Sequence, residues 1–246
     1  MKIKASVAGV VLVLAASAVS AAEEEEKSPW DTSAELGYVE TSGNTNTETF
    51  VVKFDSTYEI EKWKHQVHFG GLNSKAENIT TANKYLIAEQ SDYKFTLRDY
   101  FLGNVSYEND KFSGYQYQFK LSVGYGRKVL DLQKHKLDAE IGPGYRNFKQ
   151  DDATTSEDEA LLRLAAKYKW SISKNSEFKQ DFFVFLGEIQ DEWRSITSLK
   201  SNINKTLAMK LTYTVRYLDL VPINPDTGLF VNNYERETAV TLVYTF

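Results

Sequence analysis

The chain contains no cysteine. That excludes a disulfide framework and a lipid-modified cysteine anchor. Proline is nearly absent, with four residues, and Ser/Gly tracts are missing. Nothing therefore reads as a linker, and a single domain is expected. Histidine is also scarce, with three in the chain, which leaves little material for acid–base chemistry near neutral pH. Bases do not outnumber acids: Lys and Arg total 29 against 34 Asp and Glu, a net charge of −5. Without a basic stripe, nucleic acid is not expected as a partner. No apolar run is long enough to cross a bilayer as a helix, and no long segment keeps a 3.6-residue apolar period.

The beginning of the chain has a different character. Lys2 and Lys4 precede an apolar run from Ala5 to Ala16, and small residues follow through Ser20-Ala21-Ala22. This pattern predicts a signal peptide over 1–22, and hence export. Residues 23–29, opened by Glu23-Glu24-Glu25-Glu26, read as a short solvated acidic segment. The folded domain is expected over 30–246.

What the chain has in abundance is aromatic residues, 15 Tyr and 14 Phe, arranged with a period of two. The stretch YQYQFKLSVGYG, Tyr115 to Gly126, puts Tyr115, Tyr117, Phe119, Leu121, Val123 and Tyr125 on one side. Gln116, Gln118, Lys120, Ser122, Gly124 and Gly126 fall on the other. Such alternation marks a strand with two unlike faces. It recurs in about twelve stretches, several of them roughly 11 residues long, the length a tilted strand needs to cross a bilayer. The connections read as alternately short and long, with long ones expected over 41–48, 74–83, 109–113, 149–158, 188–192 and 218–233. The expected fold is all-β: a closed antiparallel up-and-down transmembrane β-barrel in the outer membrane, its aromatic rows toward lipid. A secreted soluble β-sandwich is the alternative. A bulge or a rim position is expected at Pro143, which cannot donate to its ladder.

Parity then assigns a lumen-lining row. It holds Lys53, Asp55 and His68 early in the chain, Gln116, Gln118 and Lys120 in the middle, and Asp138, Glu140 and Arg146 after them. Arg163, Lys167, Lys210 and Arg216 complete it. These groups suit either a narrow pore for small solutes or ions, or a ladder of ion pairs that fills the interior. The glycines Gly124, Gly126, Gly142 and Gly144 predict a packing niche for a large facing side chain. No catalytic residue, cofactor or metal site is expected. His65 and His135 fall beside short turns, and no His–Ser pair stands out, which disfavours the alternative of an outer-membrane lipid-modifying hydrolase. The acidic stretch QDDATTSEDE, 150–159, lacks the spacing of a calcium loop. Trp30, Trp63, Trp170 and Trp193 lie near strand ends, as interfacial girdles require.

Two further segments resemble known patterns. The ending TLVYTF, with Leu242, Tyr244 and Phe246 on one face, resembles the signal by which the barrel-assembly machinery recognises outer-membrane proteins. The opening SPWDTSAELGYVETSGNTNTET, Ser28 to Thr49, is similar to the salt-induced outer-membrane protein family, the YdiY-like group. Trp30, the ELGY of Glu35 to Tyr38 and the TSGNT of Thr41 to Thr45 carry that likeness, with SVGYG, IGPGY and LVYTF later. The resemblance implies a Gram-negative outer-membrane barrel of undefined function, linked by the family's name to a salt or osmotic response. It supplies no site residue. The expected surroundings are membrane lipid and lipopolysaccharide, and the expected state is a monomer.

Overall fold

The computed structural model describes residues 28–41, 47–111, 113–151, 153–221 and 232–246. The signal peptide, most of the acidic segment and the TSGNT stretch beyond Thr41 lie outside them. Strands β1 (Trp30–Thr41), β2 (Thr47–Ile60), β3 (Trp63–Ala76), β4 (Ile79–Lys94), β5 (Asp99–Asp110) and β6 (Tyr115–Asp131) form the first half of the sheet. Strands β7 (His135–Gln150), β8 (Glu157–Ser171), β9 (Ser176–Gly187), β10 (Glu192–Asn202), β11 (Leu207–Leu218) and β12 (Tyr234–Thr245) form the second. Each strand pairs antiparallel with its neighbours in sequence, and β12 returns to β1 to close a barrel. The closing ladder pairs Ser33 through Leu36 with Thr245 through Leu242. All-β closure leaves the backbone groups of the wall paired, as a lipid-embedded sheet requires.

The terminal end of the barrel carries Trp30, Thr245 and the turns after β2, β4, β6, β8 and β10; the loop end carries the other connections. The expected alternation of short and long joins is not strict. At 74–83, where a loop was expected, β3 and β4 run on to a tight turn at Glu77 and Asn78, with φ of 50° and 64°. Two consecutive residues with positive φ fit a hairpin turn whose twist matches the strands. The connection after β11, with Pro222, Pro225 and Gly228, lies outside the described residues.

The outer surface is apolar. Ile87, Val123, Ile141 and Val240 are exposed along its middle. Aromatic rings cluster at both ends. At the terminal end Trp30 packs on Tyr58 at 4.6 Å, Trp63 on Tyr93 at 5.0 Å and Phe95 on Phe101 at 4.6 Å. At the loop end Trp193, Tyr217 and Tyr234 pack together, and Tyr107 stacks between Tyr85 and Tyr117. Two aromatic bands flanking an aliphatic belt are the outer surface of a membrane barrel.

Two expectations from parity need correction. A register shift between Tyr115 and Tyr117 flips the alternation at the start of β6. Tyr115 therefore turns inward and is only 2 % exposed, while Gln116 is exposed and sends its amide toward the Asp151 carbonyl. Gln116 does not line the lumen. A bulge inserts one residue and so reverses every side chain before it. At Pro143, by contrast, the β6–β7 register continues unchanged from Ser122↔Gly144 to Tyr125↔Ile141. The missing N–H leaves a gap in the ladder with no bulge, in mid-strand and away from the rim.

Candidate functional site: a polar lumen crossed by ion pairs

Inward charges from different strands meet in layers across the barrel. In the layer toward the loop end, Lys120 of β6 reaches Glu192 of β10 at 2.5 Å. Arg216 of β11 and Arg194 of β10 each reach Glu108 of β5 at 2.7 Å. Both arginines also hold Glu192, at 3.0 and 3.1 Å. Lys84 of β4 meets Glu235 and Glu237 of β12 at 2.5 and 2.7 Å. Strands β5 and β11 stand opposite each other in the barrel order, so the Glu108–Arg216 pair crosses the lumen from wall to wall. Glu192, Arg146 and Arg216 are almost fully buried. Charges this far from water are tolerated because each carboxylate meets several cations.

The β9–β10 connection folds into the same end. Gln190 is 2 % exposed and donates to the Tyr115 hydroxyl at 2.7 Å and to the Leu220 carbonyl. Arg146 donates to the Gln190 carbonyl and to Glu159, and Glu159 in turn accepts from the Ile189 N–H at 2.8 Å. Tyr115, Phe148 and Leu218 form a small apolar cluster beside it. The acidic stretch 150–159 thus does not converge on one point. Glu157, Asp158 and Glu159 belong to β8; Glu159 turns inward to Arg146, while Asp158 turns outward to Tyr145 and Asn147. Asp152 lies outside the described residues.

A second layer sits on the wall formed by β4, β5, β7 and β8. Glu140 accepts from Tyr100 and Gln90 at 3.0 Å, from Lys167 at 2.9 Å and from Arg163 at 2.8 Å. Asp138 lies on the same row, cross-strand from Lys128 and Lys167. Tyr100 reaches Glu140 by lying across β6 at Gly126, where a Cβ would stand 2.2 Å from the ring. Of the four glycines expected to form a niche, Gly126 has this ring as its occupant, whereas Gly124 and Gly142 face each other's strand, where a Cβ would meet the Ile141 and Val123 carbonyls.

Toward the terminal end the interior opens into a cavity of about 580 Å³. Its charges are sorted by wall. Strands β8 to β11 contribute Arg163, Lys167, Lys179, Arg194, Lys200, Lys210 and Arg216 against two acids, Glu177 and Asp181. Strands β12, β1, β2, β4 and β5 contribute Asp31, Glu35, Asp55, Glu108, Glu235 and Glu237 against Lys53 and Lys84. His68 also lines the cavity and shares a 2.7 Å hydrogen bond with Asp55. Lys210 reaches Glu35 at 2.6 Å.

The structure therefore places the parity-assigned residues in three groups. Lys53, Asp55, His68 and Lys210 border the cavity; Lys120, Arg146 and Arg216 belong to the cross-lumen layer; Asp138, Glu140, Arg163 and Lys167 belong to the second layer. Gln118 is inward and buried, next to Lys120 on its row. Leu242, Tyr244 and Phe246 are exposed on the outer wall, with the two rings 4.9 Å apart. Sequence reasoning missed Glu108, Glu192 and Arg194, the acids and the base at the centre of the first layer. Extending the period of two by one step, from Ser106 to Glu108 and from Arg194 back to Glu192, would have found them.

One arrangement on the outer wall bears on hydrolase chemistry. His65 and Ser91 lie 2.7 Å apart, and Glu89 accepts from the Ser91 hydroxyl at 2.6 Å. The Ser91 proton is donated to Glu89 and not to the histidine, so the serine–histidine–carboxylate order of an acyl-transfer relay is not the one formed.

The chain is 26 % identical over 219 residues to the uncharacterized protein YdiY of Escherichia coli (strain K12), covering 89 % of this chain and 84 % of that one. Among solved structures, the NanC porin matches with a TM-score of 0.49 at 10 % identity, over 87 % of this chain and 99 % of that chain. The translocator domain of the autotransporter NalP from Neisseria meningitidis matches with a TM-score of 0.47 at 10 % identity, over 88 % and 87 %. The model of the family described as "Protein of unknown function, DUF481" matches residues 34–246. The chain belongs to that family.

Proposed function

We propose that this protein is an outer-membrane barrel that forms a narrow channel for small solutes or ions, constricted toward the loop end by ion pairs. The observation that carries this reading is the pairing of Lys120 with Glu192 and of Arg194 and Arg216 with Glu108 across the lumen, above a cavity of about 580 Å³ open toward the other end. An interior meant only for stability would not need to keep so large a polar cavity. A passage lined by both charges selects solutes by charge and size. The outer apolar belt and its two aromatic bands support a membrane location.

In this reading the chain is exported through its signal peptide and inserted by the barrel-assembly machinery, which reads Leu242, Tyr244 and Phe246. It then sits as a monomer among membrane lipid and lipopolysaccharide, with the terminal end toward the periplasm. A role in the salt or osmotic response is part of the same proposal. Proteoliposomes carrying the refolded chain should swell in an isosmotic medium of a small neutral solute. Swelling no faster than that of empty liposomes would overturn the channel reading.

A further inference from the structure

We propose that the cavity at the terminal end binds small zwitterionic solutes, with the ammonium group toward β1 and β2 and the carboxylate toward β9 and β10. This rests on the channel reading and names the solute class of the same lumen.

The argument starts from the separation of charge. The wall on β8 to β11 is predominantly cationic, and the wall facing it, on β12 to β5, is predominantly acidic. Opposed walls of unlike sign set up a field across the cavity, at right angles to the barrel axis. A simple anion drawn to Lys179 and Lys200 meets Asp55 on the other side, and a simple cation meets the reverse. A solute with both charges, oriented across the cavity, satisfies both walls at once.

The contacts leave room for it. Asp55 shares a hydrogen bond with His68, and Lys179 an ion pair with Glu177 at 3.3 Å. Asp55 and Lys179 both line the cavity and form no ion pair with each other. Lys53, Lys200 and Asp181 border the cavity without an ion-pair partner among the described residues. Lys210–Glu35 joins the walls beside β12, and the pairs of Arg194 and Arg216 with Glu108 join them toward the loop end; between Asp55 and Lys179 the gap is polar, charged on both sides and without an ion pair. Its volume, about 580 Å³, falls within the roughly 300–1,000 Å³ of small-molecule sites.

Titration calorimetry of the refolded protein with 6-aminohexanoate, hexanoate and hexylammonium tests the assignment. The zwitterion should bind about tenfold more tightly than either singly charged probe, because a second charge-assisted hydrogen bond contributes on that scale. Asp55→Asn should lower 6-aminohexanoate to the level of hexanoate, and Lys179→Gln should lower it to that of hexylammonium. Equal binding of hexanoate and 6-aminohexanoate, or no binding of any probe by protein that runs as folded on an unheated gel, would overturn the proposal. The wild-type comparison stands even if a variant fails to fold. Swelling without this binding pattern removes the zwitterion site and leaves the channel; the pattern without swelling removes the channel.

Discussion

Lys120 and Glu192 meet at 2.5 Å across the lumen, from β6 and β10, with side-chain exposures of 9 % and 0 %. Glu192 also holds Arg194 and Arg216. Removing its charge leaves three cations crowded in a space with little water. Glu192→Gln should therefore lower folding stability by about 3–5 kcal/mol, the scale for breaking a buried ion pair from one side. The midpoint of urea unfolding in lipid vesicles measures it. An unchanged midpoint would mean the layer is solvated and carries little.

The Tyr100–Gly126 contact predicts a different defect. Gly126→Val puts atoms where the Tyr100 ring lies. The ring must leave, and its bond to Glu140 goes with it. Overpacking of this kind costs about 1–3 kcal/mol. Tyr100→Phe in the Gly126→Val background should cost little more, since the hydroxyl bond is already lost. Additive losses in the same unfolding experiment would show that the ring had stayed in place.

The outer belt can be tested by charge. Val123 points out from the middle of β6 and is 59 % exposed. Val123→Arg should destabilise the vesicle-embedded barrel by about 2–4 kcal/mol, the midplane value for arginine on a lipid-facing wall. A soluble sandwich would lose almost nothing from an exposed arginine. Equal stability in vesicles would contradict the membrane placement.

The bulge in β6 predicts a difference in accessibility between two nearby glutamines. The chain has no cysteine, so a single introduced thiol reports alone. Gln116→Cys should react rapidly with a membrane-impermeant maleimide added outside intact cells, and Gln118→Cys, buried at 3 %, slowly. Slow reaction at both positions would restore the simple parity of the strand.

Much of this architecture was legible because a strand's two faces leave a period of two in the chain. The alternation of Tyr117, Phe119 and Leu121 with Gln118, Lys120 and Ser122 is a local signal, and so are the aromatic strand ends. What stayed hidden depends on other things. The inward turn of Tyr115 comes from one inserted residue, which no composition marks. The tight turn at Glu77 and Asn78 contains neither glycine nor proline. The partnership of Glu108 with Arg216 joins residues 108 positions apart, and only the closed register of the barrel sets them opposite each other. The sorting of charge by wall has the same origin: each strand carries both signs or few charges, and the asymmetry emerges when four neighbouring strands stand together.

The central claim is that ion pairs across the lumen narrow a channel. Single-channel recording in planar bilayers tests it most directly, by comparing the wild-type chain with Glu192→Gln. The account predicts discrete steps from both proteins, larger or more frequent in the variant, because the bridge from Lys120 to β10 has lost its charge. Silent bilayers from both, with protein that still shows heat-dependent gel mobility, would contradict it.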